Sequence, residues 1–121
     1  MDRAERKQTL IELRELCRKP VDENDYLETY HKVGKAIKDT DFIDYDYTKN
    51  LDKNILPKLK KNHVGFMQCL DNNLKIFNFD DCRTLFTRYF RGEHWNEGSF
   101  PTHINNKTLF KILERAVEVM P

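Results

Sequence analysis

Asp81-Cys82-Arg83-Thr84-Leu85-Phe86-Thr87-Arg88-Tyr89-Phe90-Arg91-Gly92-Glu93-His94-Trp95-Asn96 is the stretch that decides the fold class. Cys82, Leu85, Phe86, Tyr89 and Phe90 recur at intervals of three and four, which lines one face of an α-helix, whereas a half-buried strand would alternate. Asp80 or Asp81 is the expected N-cap. The helix should stop around Asn96 to Gly98, where glycine can adopt a left-handed conformation.

The same period appears on both sides of this stretch. From about Asp2 to Lys19, Leu10, Leu13 and Cys17 form a stripe widened by Ile11 and Leu16, and Pro20 closes the helix. Asp22 or Asn24 offers a cap to a second helix carrying Tyr26, Leu27, Tyr30, Val33 and Ile37, interrupted by Gly34 and ending near Asp39 to Asp41. Phe42 to Tyr47 changes to period two, with Ile43, Tyr45 and Tyr47 against Asp44 and Asp46, and is expected to be extended and mostly unpaired. Leu51, Ile55, Leu56 and Leu59 restart a helix. Asn54 is its expected cap, Pro57 must fall in its first turn, and Lys58, Lys60 and Lys61 form its solvated face.

Between His63 and Phe79 the apolar residues Val64, Phe66, Met67, Cys69, Leu70, Leu74, Ile76, Phe77 and Phe79 predict burial without fixing the secondary structure. The last helix should run from about Asn106 to Met120, with Leu109, Ile112, Leu113, Ala116, Val117 and Met120 facing inward. The expected architecture is therefore all-α or nearly so: about five helices around one core, one short extended segment, and a single domain spanning residues 1–121.

Composition narrows the function classes. Lys and Arg number 21 against 20 Asp and Glu, so no whole-molecule field favours non-specific nucleic-acid binding or an acidic membrane surface. Cys17, Cys69 and Cys82 are three, widely spaced and set in apolar patterns, which reads as reduced cytoplasmic thiols. The start Met-Asp-Arg-Ala-Glu-Arg-Lys lacks an apolar run behind it, and no run of about 18 apolar residues occurs, so neither a leader nor a membrane span is expected.

One face is unusual. Thr84, Arg88, Arg91 and Trp95 lie three, four or seven residues apart, on the side of their helix opposite the apolar stripe. A tryptophan there, close to two arginines, suggests cation–π stacking or a second buried surface. Glu93 projects back towards the apolar stripe. Either the helix deforms at Gly92 or Glu93 meets a buried cation, since an unpaired buried carboxylate is costly.

The segment Thr87 to Gly98, followed by Ile112-Leu113-Glu114-Arg115, resembles the bacterial domain-of-unknown-function family 6508. The matching positions are Thr87, Arg91, Trp95, Glu97, Gly98, Leu113 and Arg115, while His94 stands where that family has arginine and Trp95 where it has phenylalanine. Phe42 to Tyr47 is similar to the family's aromatic-Asp-aromatic segment, so the family-like region covers about residues 26–120 and leaves the N-terminal helix, residues 1–20, outside. The resemblance implies a small helix-rich fold of bacterial or phage proteins and no particular activity.

Two readings of Arg88, Arg91, His94 and Trp95 follow. As a ligand-binding site, the guanidinium groups would take phosphate oxygens and the aromatic would stack on a base. As scaffold, Arg91 and Arg115 would pair with Glu93, Glu97 or Glu114 to join the last two helices. Metal pairs such as His63 with Cys69, or His94 with His103, lack ligand spacing, so no metal or cofactor is implied. Cys82 falls on a core stripe, where a thiol is inert. Glu93 and His94, being neighbours on a helix, cannot readily share a proton-transfer geometry. The expectation is a non-catalytic binding module for an anionic, nucleotide-like small molecule. The alternative is a protein-interaction or inhibitor module using the same face, including a homodimer, and an enzyme fits least.

Overall fold

The structure is a computed structural model and describes residues 2–66, 68, 70 and 73–121. Helix α1, Arg3–Arg18, starts where Asp2 accepts the Glu5 N–H at 2.8 Å and buries Leu10, Leu13 and Cys17. Helix α2, Leu27–Asp39, buries Val33 and Ile37. Its expected caps are used otherwise: Asp22 accepts the Asn24 N–H at 2.8 Å in a separate turn, and no side chain caps α2. Leu27, assigned to the stripe, is instead 60% exposed. Asp41 ends the helix in the left-handed region (φ 55°), and the Phe42 N–H returns to the Ile37 carbonyl at 2.7 Å.

That turn drives Phe42, Ile43 and Asp44 into the interior in succession while Tyr45 remains exposed. The expected alternation therefore fails, because the segment is anchored residue by residue and pairs with no strand. Among the described residues there is no strand. Helix α3 (Tyr47–Asn50) runs through a π turn (Leu51–Ile55) into α4 (Leu56–Lys61). Asn54 therefore caps nothing; it lies within the π turn. The Leu56 N–H reaches back to the Leu51 carbonyl. This wider turn precedes Pro57, whose ring would strike the carbonyl four residues back in a regular helix. Lys58 leaves the solvated face and pairs with buried Asp81.

A 3-10 turn, Leu74–Ile76, leads to α5, Phe79–Trp95. The cap is Asn78 rather than Asp80 or Asp81. Asn78 Oδ1 accepts the Asp81 N–H at 2.9 Å and Asp81 Oδ2 accepts the Asn78 N–H at 3.1 Å, a reciprocal capping box. Leu70 and Phe77 are buried as expected, whereas Met67 and Cys69 lie outside the described residues. Helix α6, Ser99–Asn105, was not expected. It tolerates Pro101 within its first turn and buries Phe100 and Ile104. Helix α7, Thr108–Glu118, follows Lys107 in a left-handed conformation (φ 68°), which separates it from α6.

Helices α1, α5 and α7 pack into one core with Phe42, Phe86 and Phe100 fully buried. Arg115 fixes the 3-10 turn to α7: Nε donates to the Phe77 carbonyl at 3.0 Å and Nη2 to the Lys75 carbonyl at 2.8 Å. The N-terminal helix belongs to the same core. Lys107 donates to the last carbonyl of α1, and Asn105 exchanges hydrogen bonds with both backbone groups of Val21, at 2.9 and 3.0 Å. The fold is nearly all-α around one core, in line with the about five helices expected, and among the described residues short helical segments add to the long ones. Among the described residues no helix is long and apolar enough to cross a membrane.

Candidate ligand-binding site

Helix α5 carries two kinds of polar residue. Along its first half Thr84 and Thr87 are engaged with Asp44, just before α3. Asp44 accepts the Thr84 hydroxyl at 2.6 Å, the Asn50 amide at 2.9 Å and the Asp46 N–H at 2.9 Å, while its own N–H donates to Thr87 Oγ1 at 2.9 Å. Burial pushes the Asp44 carboxyl up, but the bonds from Asn50, Thr84 and Asp46, with the charge of Arg83, outweigh it and leave it below its ordinary value. Thr84, expected on an outward face with the arginines, is buried by this network.

Glu93 follows neither course anticipated for it. The helix does not break at Gly92, and among the described residues no cation pairs with the carboxylate. Tyr26 donates its hydroxyl, and the N–H groups of Gly98 and Phe100 donate at 3.1 and 2.8 Å. Backbone donors at the start of α6 replace the missing cation. Desolvation raises the Glu93 carboxyl, and these hydrogen bonds, led by that of Tyr26, bring it below its usual value. Gly98 permits the arrangement by its left-handed backbone (φ 92°).

Beyond Thr87 the pattern reverses. Arg88, Arg91, His94 and Trp95 are all exposed, Trp95 at 80%, and Arg88 and Arg91 form no ion pair with any described residue. The scaffold pairing of Arg91 with Glu93, Glu97 or Glu114 is absent. Arg115 does hold the scaffold, through carbonyl groups and through Glu118 at 2.7 Å.

The four residues do not converge on one cavity. Arg91 and His94 line a cavity of about 470 Å³ between α2 and α5, with Tyr30, His31, Gly34, Lys35, Lys38, Ile43 and Phe90. Arg88 and Trp95 line another, of about 420 Å³, towards α3 and α6. Residues 91 and 94 turn towards α2 while 88 and 95 turn away from it, and the His94 and Trp95 rings meet edge to face at 4.9 Å.

The α2/α5 cavity has an apolar floor and a basic rim. Tyr30 and Phe90 stack at 4.7 Å with planes 10° apart. Gly34 makes that close approach feasible, since a Cβ there would lie 3.2 Å from Phe90 Cζ. His31, Lys35, Lys38, Arg91 and His94 surround the floor, and no carboxylate is among the lining residues. Lys35 also pairs with Asp39 at 2.8 Å. The composition suits an anion of small-molecule size. Sequence reading missed His31, Lys35 and Lys38, although their spacing of four and three residues puts them on one face of α2.

Other chemistries find less support. Burial pushes the Cys17 and Cys82 thiols up to about 12, too high for a nucleophile at neutral pH. Among the described residues no group of three or more His, Cys, Asp or Glu side chains could hold a metal ion. Among the residues of the Thr87–Gly98 segment and the last helix, Thr87, Gly98, Leu113 and Arg115 serve the fold, whereas Arg91, Trp95 and Glu97 are exposed. No family model, no curated protein and no solved structure matches this chain significantly.

Proposed function

We propose that the protein is a non-catalytic binding module for a phosphate-bearing, nucleotide-like small molecule, held in the α2/α5 cavity. One observation carries this reading: Arg91, Lys35, Lys38, His31 and His94 ring one cavity that no described carboxylate lines. Lys38 and Arg91 would take the phosphate oxygens, Arg91 with its two-pronged guanidinium and Lys38 as a mobile point charge. His31 and His94 would donate further hydrogen bonds, and the Tyr30–Phe90 floor with Ile43 would carry the flat part of the ligand. The likeness of the Arg91 segment to family 6508 is part of the same proposal and adds no activity to it.

Thermal unfolding in the presence of adenosine 5′-monophosphate, adenosine 5′-triphosphate or inorganic pyrophosphate tests the reading. A ligand at 100 times its dissociation constant stabilises the folded state by about 2.7 kcal/mol, and the gain should vanish in Arg91→Ala with Lys38→Ala. Absence of a shift with every one of these anions at millimolar concentration would overturn it, as would an undiminished shift in the double variant.

A protein-interaction or inhibitor module is the second reading, favoured by the single indole at 80% exposure. Light scattering across micromolar concentrations distinguishes it. Self-association that Trp95→Ala abolishes would favour that class, whereas a monomer insensitive to the substitution would remove the reason for a homodimer.

A further inference from the structure

The second cavity has a different chemistry from the first, and we propose that it is a separate site for a planar aromatic monocarboxylate. Among the described residues Arg88 is the one full cation that lines it, and no described carboxylate lines it. Its guanidinium carbon sits 4.7 Å above the Phe66 ring centroid and 5.1 Å from that of Tyr89, so the group is oriented by aromatic faces. An oriented guanidinium with no carboxylate partner among the described residues matches the two oxygens of a carboxylate. Trp95, 80% exposed on the same cavity, supplies an open aromatic face, with the Thr48 and Ser99 hydroxyls beside it. A planar aromatic acid can meet both groups at once.

His103 completes the site. Its ring packs edge-on against Tyr89 at 4.7 Å, and its Nδ1 is sealed from solvent without a hydrogen-bond partner among the described residues. Burial and the nearby Arg88 charge hold His103 below its ordinary value, which keeps the ring neutral at pH 7. The cavity therefore offers one positive charge, in contrast to the several around the α2/α5 cavity, and selects a monoanion over a polyphosphate. The α5 backbone forms part of the wall at Gly92, where a Cβ would lie 3.2 Å from Ser99 Oγ.

Trp95 is the sole tryptophan of the chain, so its emission reports directly on this cavity. Titration with benzoate should give a saturable change in emission, at least ten-fold weaker with neutral benzamide and absent with acetate. Arg88→Gln should weaken benzoate at least ten-fold. Gly92→Ala, which narrows the wall and keeps every charge, should weaken it too and decides the matter if Arg88→Gln fails to fold. Arg91→Ala should leave benzoate binding intact, so that loss of the phosphate response and loss of this site are told apart. A response to benzamide equal to that of benzoate, wild-type affinity in Arg88→Gln or in Gly92→Ala, or no saturable change would overturn the proposal.

Discussion

The first and second halves of α5 spend polar residues in opposite ways. Between Asp81 and Thr87, side-chain oxygens are buried and matched: Asp81 with Lys58 and the Asn78 N–H, Thr84 with Asp44, Thr87 with the Asp44 N–H. From Arg88 to Trp95, the two guanidinium groups face cavities and pair with no carboxylate among the described residues, and the lone indole is exposed. A matched polar group stabilises a fold, and leaving it unmatched is expensive. An unmatched cation at a cavity contributes little to stability and is available to a ligand. The contrast teaches where scaffold ends and site begins on a single helix, and it can be broken at either end.

The largest effect should come from Asp44. Asp44→Ala removes the acceptor of three hydrogen bonds and leaves the Thr84 hydroxyl and Asn50 amide without it. The expected loss is about 3 kcal/mol or more, read as a fall in the urea midpoint. The carboxyl is held below its ordinary value in the fold, so its contribution is complete above the unfolded value, about 3.9, and disappears as pH falls through the depressed one. Wild type should therefore lose stability between pH 5 and pH 2 more steeply than Asp44→Asn. Parallel curves would show that Asp44 acts only as a neutral acceptor.

Glu93 comes next and tests whether backbone donors can stand in for a cation. Glu93→Gln keeps an acceptor oxygen but loses the charge that Tyr26, Gly98 and Phe100 address. The expected cost is about 1 to 2 kcal/mol at pH 7. It shrinks as pH falls from the unfolded value of about 4.3 through the depressed folded one. A cost that persists unchanged at pH 3 would mean that shape, not charge, fixes the start of α6.

These two carboxylates also show what was legible in the sequence. Period reads burial of apolar residues well, and the faces of α1, α5 and α7 followed from Leu10, Leu85 and Leu113 and their neighbours. Period cannot see an acid that is buried because the chain supplies it with donors from far away. Asp44 meets Thr84 and Thr87, forty and forty-three positions on, and Lys58 meets Asp81 twenty-three positions on. Such pairings depend on tertiary approach, so Lys58 read as a solvated face and Asp44 as the outward half of an alternation. Helix α6 was hidden by its length and by Pro101. At the candidate site, Arg88, Arg91, His94 and Trp95 were legible as an exposed face. Their division between two cavities was not, because it depends on which helices lie on either side of α5.

The smallest effect on stability should come from Arg91, and it is the most informative about function. A buried partner of Glu93 or Glu97 would make Arg91→Ala cost about 3 kcal/mol, because it would leave a carboxylate uncompensated. Arg91 is exposed and forms no ion pair with a described residue, and Glu93 is satisfied by Tyr26 and the α6 backbone. The urea midpoint of Arg91→Ala should therefore stay within about 0.5 kcal/mol of wild type. Relief of repulsion among Arg91, Lys35 and Lys38 around one cavity acts in the stabilising direction and grows as salt is lowered, since screening weakens with ionic strength. Measuring the midpoint at about 10 mM and about 150 mM salt separates the outcomes. A variant as stable as wild type or slightly more so at low salt marks Arg91 as part of a site. A loss of several kcal/mol at both concentrations would return it to the scaffold and move the boundary between the two halves of α5 past residue 91.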